Sequence, residues 1–402
     1  MNQKNKVIIF LFSIAMVMCF FFLFQGYQYI RLKTADVKIK LQDNLTVEVY
    51  HKKKISDFLK SINGTILDDR KIDTSKLGKQ NIVFHYKNED GVKIPYRFQI
   101  DVVDTTKPLV WLSDSYFVEK GTEVNLENKI LCGDNYDNNP NCSVEGNYNL
   151  NKEGNYPLVF KAKDNSGNEV VQSFTLNVYE PKKSEETTKF VPPNYVSFSD
   201  VVKKYKTKNT KIGIDVSSWQ GDIDFDKLKK AGVEFIIIRV GSYTGDEEKY
   251  FVDKKFVQNI KEANKHNIDV GIYFYSYSSS IKEAKEDARW VLDQIKDYEV
   301  TLPIAYDWED WAYFNDYKLS FFGLTSMAEA FLEEIEKNGY DGMLYSSKTY
   351  LENIWFPTKY DIWLAHYVDE TSYNGNYKFW QLTDKGKVDG INGTVDINIM
   401  YQ

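Results

Sequence analysis

Two acidic residues flank a tryptophan at the point where an apolar, strand-like segment ends. The segment "LPIA" (302–305) is followed directly by "YDWED" (306–310). Because successive side chains of a strand alternate between its two faces, Asp307 and Glu309 point to the same side. Two carboxyl groups are therefore expected to share one small space, although an acidic turn after a strand is the simpler alternative.

Paired carboxyl groups in a partly apolar cleft can divide the roles of acid and base. Burial beside aromatic rings, together with repulsion from the other carboxylate, raises the pKa of one member of the pair. That member stays protonated near neutral pH while the other is ionised. Cleavage of a glycosidic bond needs such a pair, with a proton for the leaving oxygen and a negative group facing the positive charge that grows at the sugar carbon.

Two further acids occur at the ends of other strand-like runs. Asp215 lies in "GIDVSSWQG" and Asp396 in "GTVDINIM", far apart in the sequence. A barrel would bring such strand ends together at the face where barrel enzymes carry their chemistry. The four histidines are scattered and offer neither a zinc cluster nor a Ser/His/Asp triad: His51, His85, His266 and His366. There is no glycine-rich phosphate loop, and no metal or organic cofactor is implied.

The C-terminal half alternates strand-like runs with amphipathic helical segments. The runs are "KIGIDVSSW", "EFIIIRVG", "DVGIYFYSYS", "LPIAYDWE", "DGMLYSS", "DIWLAHY", "KFWQLT" and "VDINIMY". Ser280 with Glu283 and Ser326 with Glu329 are predicted capping boxes at two helix starts. This alternation over about 190 residues favours a parallel sheet or a barrel, but it is short for a full eightfold barrel, so some helices must be missing.

The region before it predicts two β modules related by an internal repeat. At an offset of 76 residues, the stretch from Asn81 aligns without a gap with the stretch that contains Tyr156, so that Gly91 corresponds to Gly167 in a turn between alternating strands. We define the first β module as residues 36–104 and the second as 105–180. The "DTTKP" at 104–108 resembles the start of bacterial immunoglobulin-like surface domains. Both modules are therefore predicted as Ig-like β-sandwiches, with a spacer as the default role and weak wall binding as the alternative.

The first thirty residues predict a membrane anchor. Lys4 and Lys6 precede 18 uncharged residues, 7–24, which suffice to cross a hydrocarbon layer of about 30 Å. The following "QGYQYIRLK" lacks a small-residue cleavage site, which favours an uncleaved anchor over a cleaved signal peptide that would release the chain. The positive N-terminal side is expected to stay in the cytoplasm, so the rest of the chain faces the cell wall.

Composition argues against a nucleic-acid partner, and the placement of the cysteines indicates the cellular compartment. With 51 basic and 58 acidic residues, the net charge of −7 gives no electrostatic footprint for nucleic acid. Cys132 and Cys142 bracket a polar, turn-rich segment and are predicted to form a disulfide outside the cytoplasm, with two free thiols as the alternative. Residues 181–210 are polar, contain three prolines and are predicted as a linker.

Residues 211–402 resemble the glycoside hydrolase family 25 lysozymes, the Chalaropsis-type N-acetylmuramidases. The matching stretches appear in the family's order: "GIDVSSWQG", "FIIIRVG", "VGIYFYS", "IAYDWED", "DIWLAHY", "KFWQLT" and "GINGTVDIN". One departure is Phe274, where many members carry His. Alternation puts Phe274 on the face opposite to Tyr273, so the catalytic face would keep its tyrosine. The resemblance implies an irregular α/β (TIM-like) barrel.

The resemblance also implies an activity and roles for the four acids. The expected reaction is hydrolysis of the β-1,4 bond after N-acetylmuramic acid in the glycan strands of peptidoglycan. Glu309 would be the general acid, and Asp307 would be the partner carboxylate that either attacks directly or orients the 2-acetamido group of the substrate. Asp215 and Asp396 match the other two cleft acids of the family.

Three aromatic residues are predicted to contact sugar, and core packing is the alternative for each: Tyr273, Trp363 and Tyr367. The expected protein is a membrane-anchored wall hydrolase whose β modules hold the barrel within reach of the glycan strands. A catalytically silent wall-binding protein and a surface adhesin are the alternatives.

Overall fold

The computed structural model describes residues 3–181, 194–244 and 249–402, with side chains of the first helix from Phe12 onward. The first element, α1 (Gln3–Lys33), contains the expected apolar run. Its segment Phe12–Lys33 has 22 residues and a mean hydropathy of 1.4, which makes it long and apolar enough to cross a membrane. Such a helix serves equally as an anchor or as a signal sequence.

The chain divides into two compact units, Met1–Thr105 and Thr106–Gln402. After α1, the first unit contains the strands β1 (Ile39–Leu41), β2 (Thr46–Glu48), β3 (Leu59–Ile62), β4 (Gly64–Ile66), β5 (Gly78–Asn88) and β6 (Lys93–Val103). Four of them form a sheet in the order β2-β6-β5-β4, and β1 pairs with β3. The long β5–β6 hairpin alternates buried and exposed residues, as expected for a sheet with one face on a core.

The second unit begins with the elements of the second β module: β7 (Leu109–Trp111), β8 (Ser115–Glu119), α2 (Leu126–Lys129), β9 (Leu131–Gly133), β10 (Asn141–Glu145), β11 (Gly154–Lys163) and β12 (Glu169–Tyr179). The sheet order is β10-β11-β12-β8, and β7 pairs with β9. The β11–β12 and β5–β6 hairpins are the two copies of the predicted repeat, and their turn residues Gly91 and Gly167 both have positive φ. A disulfide joins Cys132 and Cys142.

The rest of the second unit is an α/β domain. Its strands are β13 (Val196–Ser197), β14 (Thr210–Val216), β15 (Phe235–Thr244), β16 (Lys249–Val252), β17 (Asp269–Tyr275), β18 (Ile304–Asp307), β19 (Gly342–Ser347), β20 (Asp361–Ala365), β21 (Phe379–Lys387) and β22 (Val395–Tyr401). Its helices are α3 (Phe198–Tyr205), α4 (Phe225–Ala231), α5 (Phe256–Lys265), α6 (Ile281–Ile295), α7 (Phe314–Tyr317), α8 (Phe321–Lys337) and α9 (Lys348–Asn353).

Eight of these strands close into a barrel, and they correspond to the eight predicted runs. The order is β21-β20-β19-β18-β17-β15-β14-β22, and β22 returns to pair with β21. All neighbours are parallel except β22, which is antiparallel to both β14 and β21. As the short length predicts, no helix occurs between β20 and β21 or between β21 and β22, two connections that the structure describes in full.

Part of the predicted linker is folded. Residues 182–193 lie outside the described residues, but β13 pairs with β21, and α3 follows directly. Phe198 and Val201 of α3 are each 2% exposed and belong to the hydrophobic cluster between the barrel strands and the helices. The linker expectation is therefore corrected for residues 196–205, because apolar residues at helical spacing, with polar residues between them, place one face of α3 on the barrel.

One of the two predicted helix starts is correct, although its capping box is not formed, because the carboxylate of Glu283 accepts from the backbone N–H of Ser279. Ser280 is the N-cap of α6, where its Oγ accepts a hydrogen bond from the backbone N–H of Glu283. The prediction for Ser326 is wrong, because the N-cap of α8 is Ser320, six residues earlier. Both serines precede residues of helical spacing, so local sequence did not distinguish them.

Strand alternation separates the inside of the barrel from the layer under the helices. Ala305 and Tyr273 belong to the interior cluster, together with Phe235, Met343 and Phe379. The intervening residues Tyr306 and Phe274 point outward and pack on Phe331 of α8. The predicted opposite orientation of Phe274 and Tyr273 is thus confirmed. Because Asp307 lies two residues after the inward-facing Ala305 in the same strand, its side chain also points toward the barrel axis.

Candidate active site

The four predicted acids converge at one end of the barrel. Asp215 near the end of β14 is the register partner of Asp396 near the start of antiparallel β22. Asp307 ends β18, and Glu309 follows it. The charge of Asp215 acts on both Asp307 and Glu309, so the two pairs of acids share one electrostatic environment. This is the convergence expected from strand ends at one mouth of a barrel.

Amide side chains hold the first pair of acids in place. Gln381 donates from its Nε2 to Oδ2 of Asp215 at 3.0 Å and to Oδ2 of Asp396 at 3.2 Å. Asn398 donates from its Nδ2 to the same oxygen of Asp215 at 2.7 Å. These bonds orient two carboxyl groups that would otherwise repel each other, and they compensate in part for removing them from water.

Two aromatic side chains fix those amides in turn. The Nε1 of Trp363 donates to Oδ1 of Asn398 at 2.8 Å, and the hydroxyl of Tyr345 donates to Oε1 of Gln381 at 2.9 Å. The rings of Trp363 and Tyr345 pack with centroids 4.6 Å apart. Since each amide oxygen accepts a hydrogen bond, its NH₂ group must face the acids, which fixes the direction of the network.

Burial makes ionisation of the Asp215–Asp396 pair costly. Loss of hydration raises the pKa of Asp215, although hydrogen bonds from Gln381 and Asn398 oppose the shift. Burial and the neighbouring Asp215 raise the pKa of Asp396 to about 9. The pair therefore holds a proton near neutral pH.

The second pair also holds a proton. Burial raises the pKa of Asp307 well above its ordinary value; Glu309 adds to this shift and the cationic Arg239 opposes it. Burial and the charge of Asp215 raise the pKa of Glu309 to about 7. Oδ1 of Asp307 is buried without a hydrogen-bond partner among the described residues. One acidic and one ionised carboxyl group can therefore coexist here near neutral pH, as acid–base cleavage of a glycosidic bond requires.

An aromatic cleft of about 890 Å³ lies beside this centre, although none of the four acids is among its lining residues. Arg239, which influences Asp307, and Tyr275, the register partner of Asp307, both line it. Arg239 is fixed by a bidentate contact with the buried Asp253, with nitrogen–oxygen distances of 2.8 and 2.6 Å. The remaining lining is Trp219, Ser242, Tyr243, Phe251, Tyr277, Asp310, Tyr313 and Tyr317.

The three predicted sugar-contact residues differ in how far their side chains are exposed to solvent. Trp363 is only 1% exposed and supports Asn398, so it cannot offer a ring face to a sugar; core packing is the correct alternative for this residue. Tyr273 is part-buried, with its ring centroid 6.0 Å from that of Trp363. Tyr367 is 50% exposed, and its hydroxyl donates to Gln381 at 3.0 Å. Of the three, Tyr367 is the best placed to contact a ligand.

A buried carboxyl group on α6 supports the strand ends from outside the barrel. Asp287 accepts hydrogen bonds from Ser276 at 2.8 Å, from Ser278 at 2.5 Å and from the hydroxyl of Tyr250 at 2.8 Å. The backbone N–H of Ser276 donates to the carbonyl of Asp307, and Nε1 of Trp308 donates to the carbonyl of Ser278. Asp287 thus fixes the loop to which the backbone around the second acid pair is bonded.

Sequence reasoning missed these supporting residues, although a signal was present. Gln381 and Asn398 occupy inward positions of predicted strands, two residues from the apolar Phe379 and Met400. Asp287 lies on the apolar face of a predicted helix. A polar residue at a position that alternation assigns to the core is a sign of a buried hydrogen-bond network.

Replacing Asp396 with Asn is expected to make thermal stability less dependent on pH. The raised pKa in the folded state means that the stabilising contribution of Asp396 is present below about pH 4 and is lost as the pH rises toward about 9. The amide does not titrate, so the Tm of the variant should fall less between pH 5 and pH 9. A difference of about 1 kcal/mol corresponds to roughly 2–4 °C in Tm.

The measurement is calorimetry of the wild type and Asp396→Asn across this pH range. Asp297→Asn, which removes an exposed carboxyl group after α6, is the matched control and should follow the wild-type curve. Parallel curves for the wild type and Asp396→Asn would contradict the raised pKa.

A closed α/β barrel with four carboxyl groups of raised pKa at one mouth has the groups that acid–base hydrolysis requires. The family model "Glycosyl hydrolases family 25" matches residues 214–391. YegX of Escherichia coli K12, described as uncharacterized, is 30% identical over 192 residues, which are 46% of this chain and 68% of that protein. The chain therefore belongs to glycosyl hydrolase family 25 and is a glycoside hydrolase, which argues against the catalytically silent alternative.

Two further similarities are to a curated enzyme and to a solved structure. The autolytic lysozyme of Clostridium acetobutylicum is 25% identical over 203 residues, which are 46% of this chain and 54% of that enzyme. The structure of a family 25 glycosyl hydrolase from Bacillus anthracis is 27% identical and covers 49% of this chain and 92% of that chain, with a TM-score of 0.42. The chain thus spans about half of the length of the Clostridium enzyme.

Proposed function

We propose that this protein hydrolyses the β-1,4 bond between N-acetylmuramic acid and N-acetylglucosamine in peptidoglycan, with Glu309 as the general acid and Asp307 as the partner carboxylate. The observation that carries the proposal is the buried second acid pair, in which the pKa of Glu309 is raised to about 7. A glutamic acid with that pKa can donate a proton to a leaving oxygen near neutral pH.

Arg239 supports this division of roles between the two carboxyl groups. Its guanidinium charge lowers the pKa of Asp307, whereas burial and the charge of Asp215 set the pKa of Glu309. The proposal places the ionised carboxylate at Asp307, either as a nucleophile or as the group that orients the 2-acetamido substituent, against a pKa that burial and the charge of Glu309 raise well above its ordinary value. The charge of Asp215 also favours protonation of Glu309.

The lining of the cleft supports a carbohydrate substrate. Trp219 is 85% exposed and Tyr313 is 60% exposed, and both border the cleft beside Arg239. Exposed aromatic rings at the edge of a polar cleft offer flat apolar surfaces to the C–H faces of sugar rings. Tyr367 adds another half-exposed ring on the side of Gln381.

Family membership and the name of the Clostridium relative, an autolytic lysozyme, support cell-wall glycan as the substrate class. A wall substrate in turn requires action outside the cytoplasm, and the disulfide between Cys132 and Cys142 fits an oxidising compartment. The proposal includes α1 as an uncleaved anchor and both β modules as Ig-like domains on the wall side of the membrane. With a cleaved helix the same enzyme would be secreted.

Product analysis tests the reaction. Purified peptidoglycan digested by the full-length protein in detergent is expected to yield new reducing ends that consist of muramic acid. Borohydride reduction followed by sugar analysis measures them, and the Glu309→Gln variant is the control for contaminating activity. New reducing ends made of glucosamine would overturn the assigned bond while leaving a glycoside hydrolase, and an absence of new reducing ends would overturn the substrate.

A further inference from the structure

The disulfide-closed loop of the second β module lies against the barrel. We define the docking loop as residues 131–142. The second β module, to which this loop belongs, and the barrel are parts of the same compact unit. Its backbone carbonyls at Asp134 and Asn135 accept hydrogen bonds from the N–H groups of Phe321 and Phe322, at 2.8 and 3.3 Å. These N–H groups open α8 and have no partner within the helix, so the docking loop completes the start of α8.

Asn315 of α7 is the polar centre of this contact. Its Oδ1 accepts from the backbone N–H of Cys132 at 3.0 Å, and its Nδ2 donates to the carbonyl of Ile130 at 2.9 Å. One side chain thus satisfies both a donor and an acceptor of the second β module. Removing it would leave two part-buried backbone groups without these partners, which is costly where water has poor access.

The docking loop also fits closely against aromatic rings. A methyl group at Gly133 would lie 2.5 Å from the ring of Phe321 and 2.7 Å from the ring of Phe314. Only glycine leaves room for this approach. The contact is therefore packed like a protein interior and differs from the loose junction expected of a spacer.

A continuous row of rings leads from the second β module to the catalytic acids. Trp111 of β7 packs edge-on against Tyr350, with centroids 5.2 Å apart, and Tyr350 stacks on Trp311 at 3.9 Å and 14°. Trp311 in turn contacts Trp308 at 4.9 Å, and Trp308 lies between Asp307 and Glu309 in the chain. The backbone N–H of Trp311 also donates to the carbonyl of Glu309 at 2.7 Å.

From these contacts we propose that the second β module is a positioning element of the active site, which holds the segment 308–322 through Asn315 and the Trp111–Tyr350–Trp311 stack. The inference rests on the proposed function, because it takes Asp307 and Glu309 as the reacting groups. The segment connects these acids to α8 and has only short helical turns of its own, so its position depends on what packs against it. The functional barrel therefore extends beyond the region matched by the family model.

Substrates of different size distinguish a β module that positions the active site from one that only serves as a spacer. Full-length Asn315→Ala and Trp111→Ala proteins are assayed in detergent on intact sacculi and on soluble peptidoglycan fragments, well below their Tm. A positioning element predicts that kcat falls about tenfold or more on both substrates, with a smaller change in KM. A spacer predicts loss on sacculi alone, because a small soluble substrate reaches the barrel without help.

The pH profile gives a readout that overall destabilisation does not change. If the segment 308–322 loosens, water reaches Glu309, its raised pKa relaxes, and the alkaline limb of kcat moves from about pH 7 to lower pH. Asn374→Ala, on an exposed barrel loop, and Phe117→Ala, whose ring on the second β module is 71% exposed, are the controls and should match the wild type.

Unchanged kcat on soluble fragments for both variants would overturn the inference. So would a reduced kcat that follows the folded fraction while the alkaline limb stays in place. Failure of the proposed function has a different signature, because the wild type would then release no muramic acid ends in the same assays.

Discussion

The Glu309→Gln variant is expected to lose about 10²–10⁴-fold in kcat on peptidoglycan, the usual contribution of a positioned general acid. Glutamine keeps the size of the side chain but has no proton to give to the leaving oxygen. Because the carboxyl group is buried and has a pKa raised to about 7, the wild-type enzyme should lose activity as the pH rises through about 7. This alkaline limb should be absent from the residual activity of the variant.

A substrate with a good leaving group tests the role more sharply. An aryl glycoside that releases a dinitrophenolate needs little protonation, so Glu309→Gln should lose much less activity on it than on glycan strands. Glu333→Gln, which changes an exposed carboxyl group of α8, is the matched control and should keep full activity. Undiminished lysis by Glu309→Gln, or equal losses on both substrates, would contradict the assignment of this residue as the acid.

The Asp307→Asn variant is expected to lose about 10²–10³-fold in kcat, the size of effect seen when one electrostatic contact to a transition state is removed. Asp307 is the last residue of β18, at a position that faces the inside of the barrel, and it is 4% exposed. The positive charge of Arg239 acts on its carboxyl group. The neutral amide cannot balance the positive charge that develops at the sugar carbon. KM should change less than kcat, because the interaction is strongest in the transition state.

Unlike Glu309→Gln, this variant should lose activity on the aryl glycoside as well, because charge at the sugar carbon develops with any leaving group. Asp297→Asn is the control. Intact-mass spectrometry during turnover adds a second readout, because direct attack would leave a glycosyl ester on Asp307, whereas participation of the acetamido group would leave the protein unmodified. An Asp307→Asn enzyme with wild-type kcat would exclude both roles.

The docking loop contacts α8 closely, and the chain divides into compact units differently from the division that its sequence repeat predicts. A sequence repeat predicts two equivalent β modules, and each does contain the long hairpin of the repeat. The second module nevertheless belongs to the same compact unit as the barrel, whereas the first lies in the other unit. Two residues of this contact, Gly133 and Asn315, lie outside the aligned stretches of the repeat and outside the catalytic motif.

The sequence alone predicted the eight barrel strands, the repeated hairpin and the four acids at strand ends. Each of these follows from a local property: alternation within a strand, a constant offset between copies, or the type of residue at a strand end. It also predicted that Phe274 and Tyr273 face opposite sides, since adjacent residues of a strand must do so.

Tertiary structure alone decided which groups meet. The pairing of Asp215 with Asp396 depends on antiparallel β22 closing the barrel between β14 and β21, and the burial of Trp363 depends on Asn398 reaching it from that strand. Likewise, Ser320 and not Ser326 begins α8, where the docking loop supplies the remaining partners. These outcomes are contacts between residues far apart in the chain, and a periodic pattern carries no information about such distances.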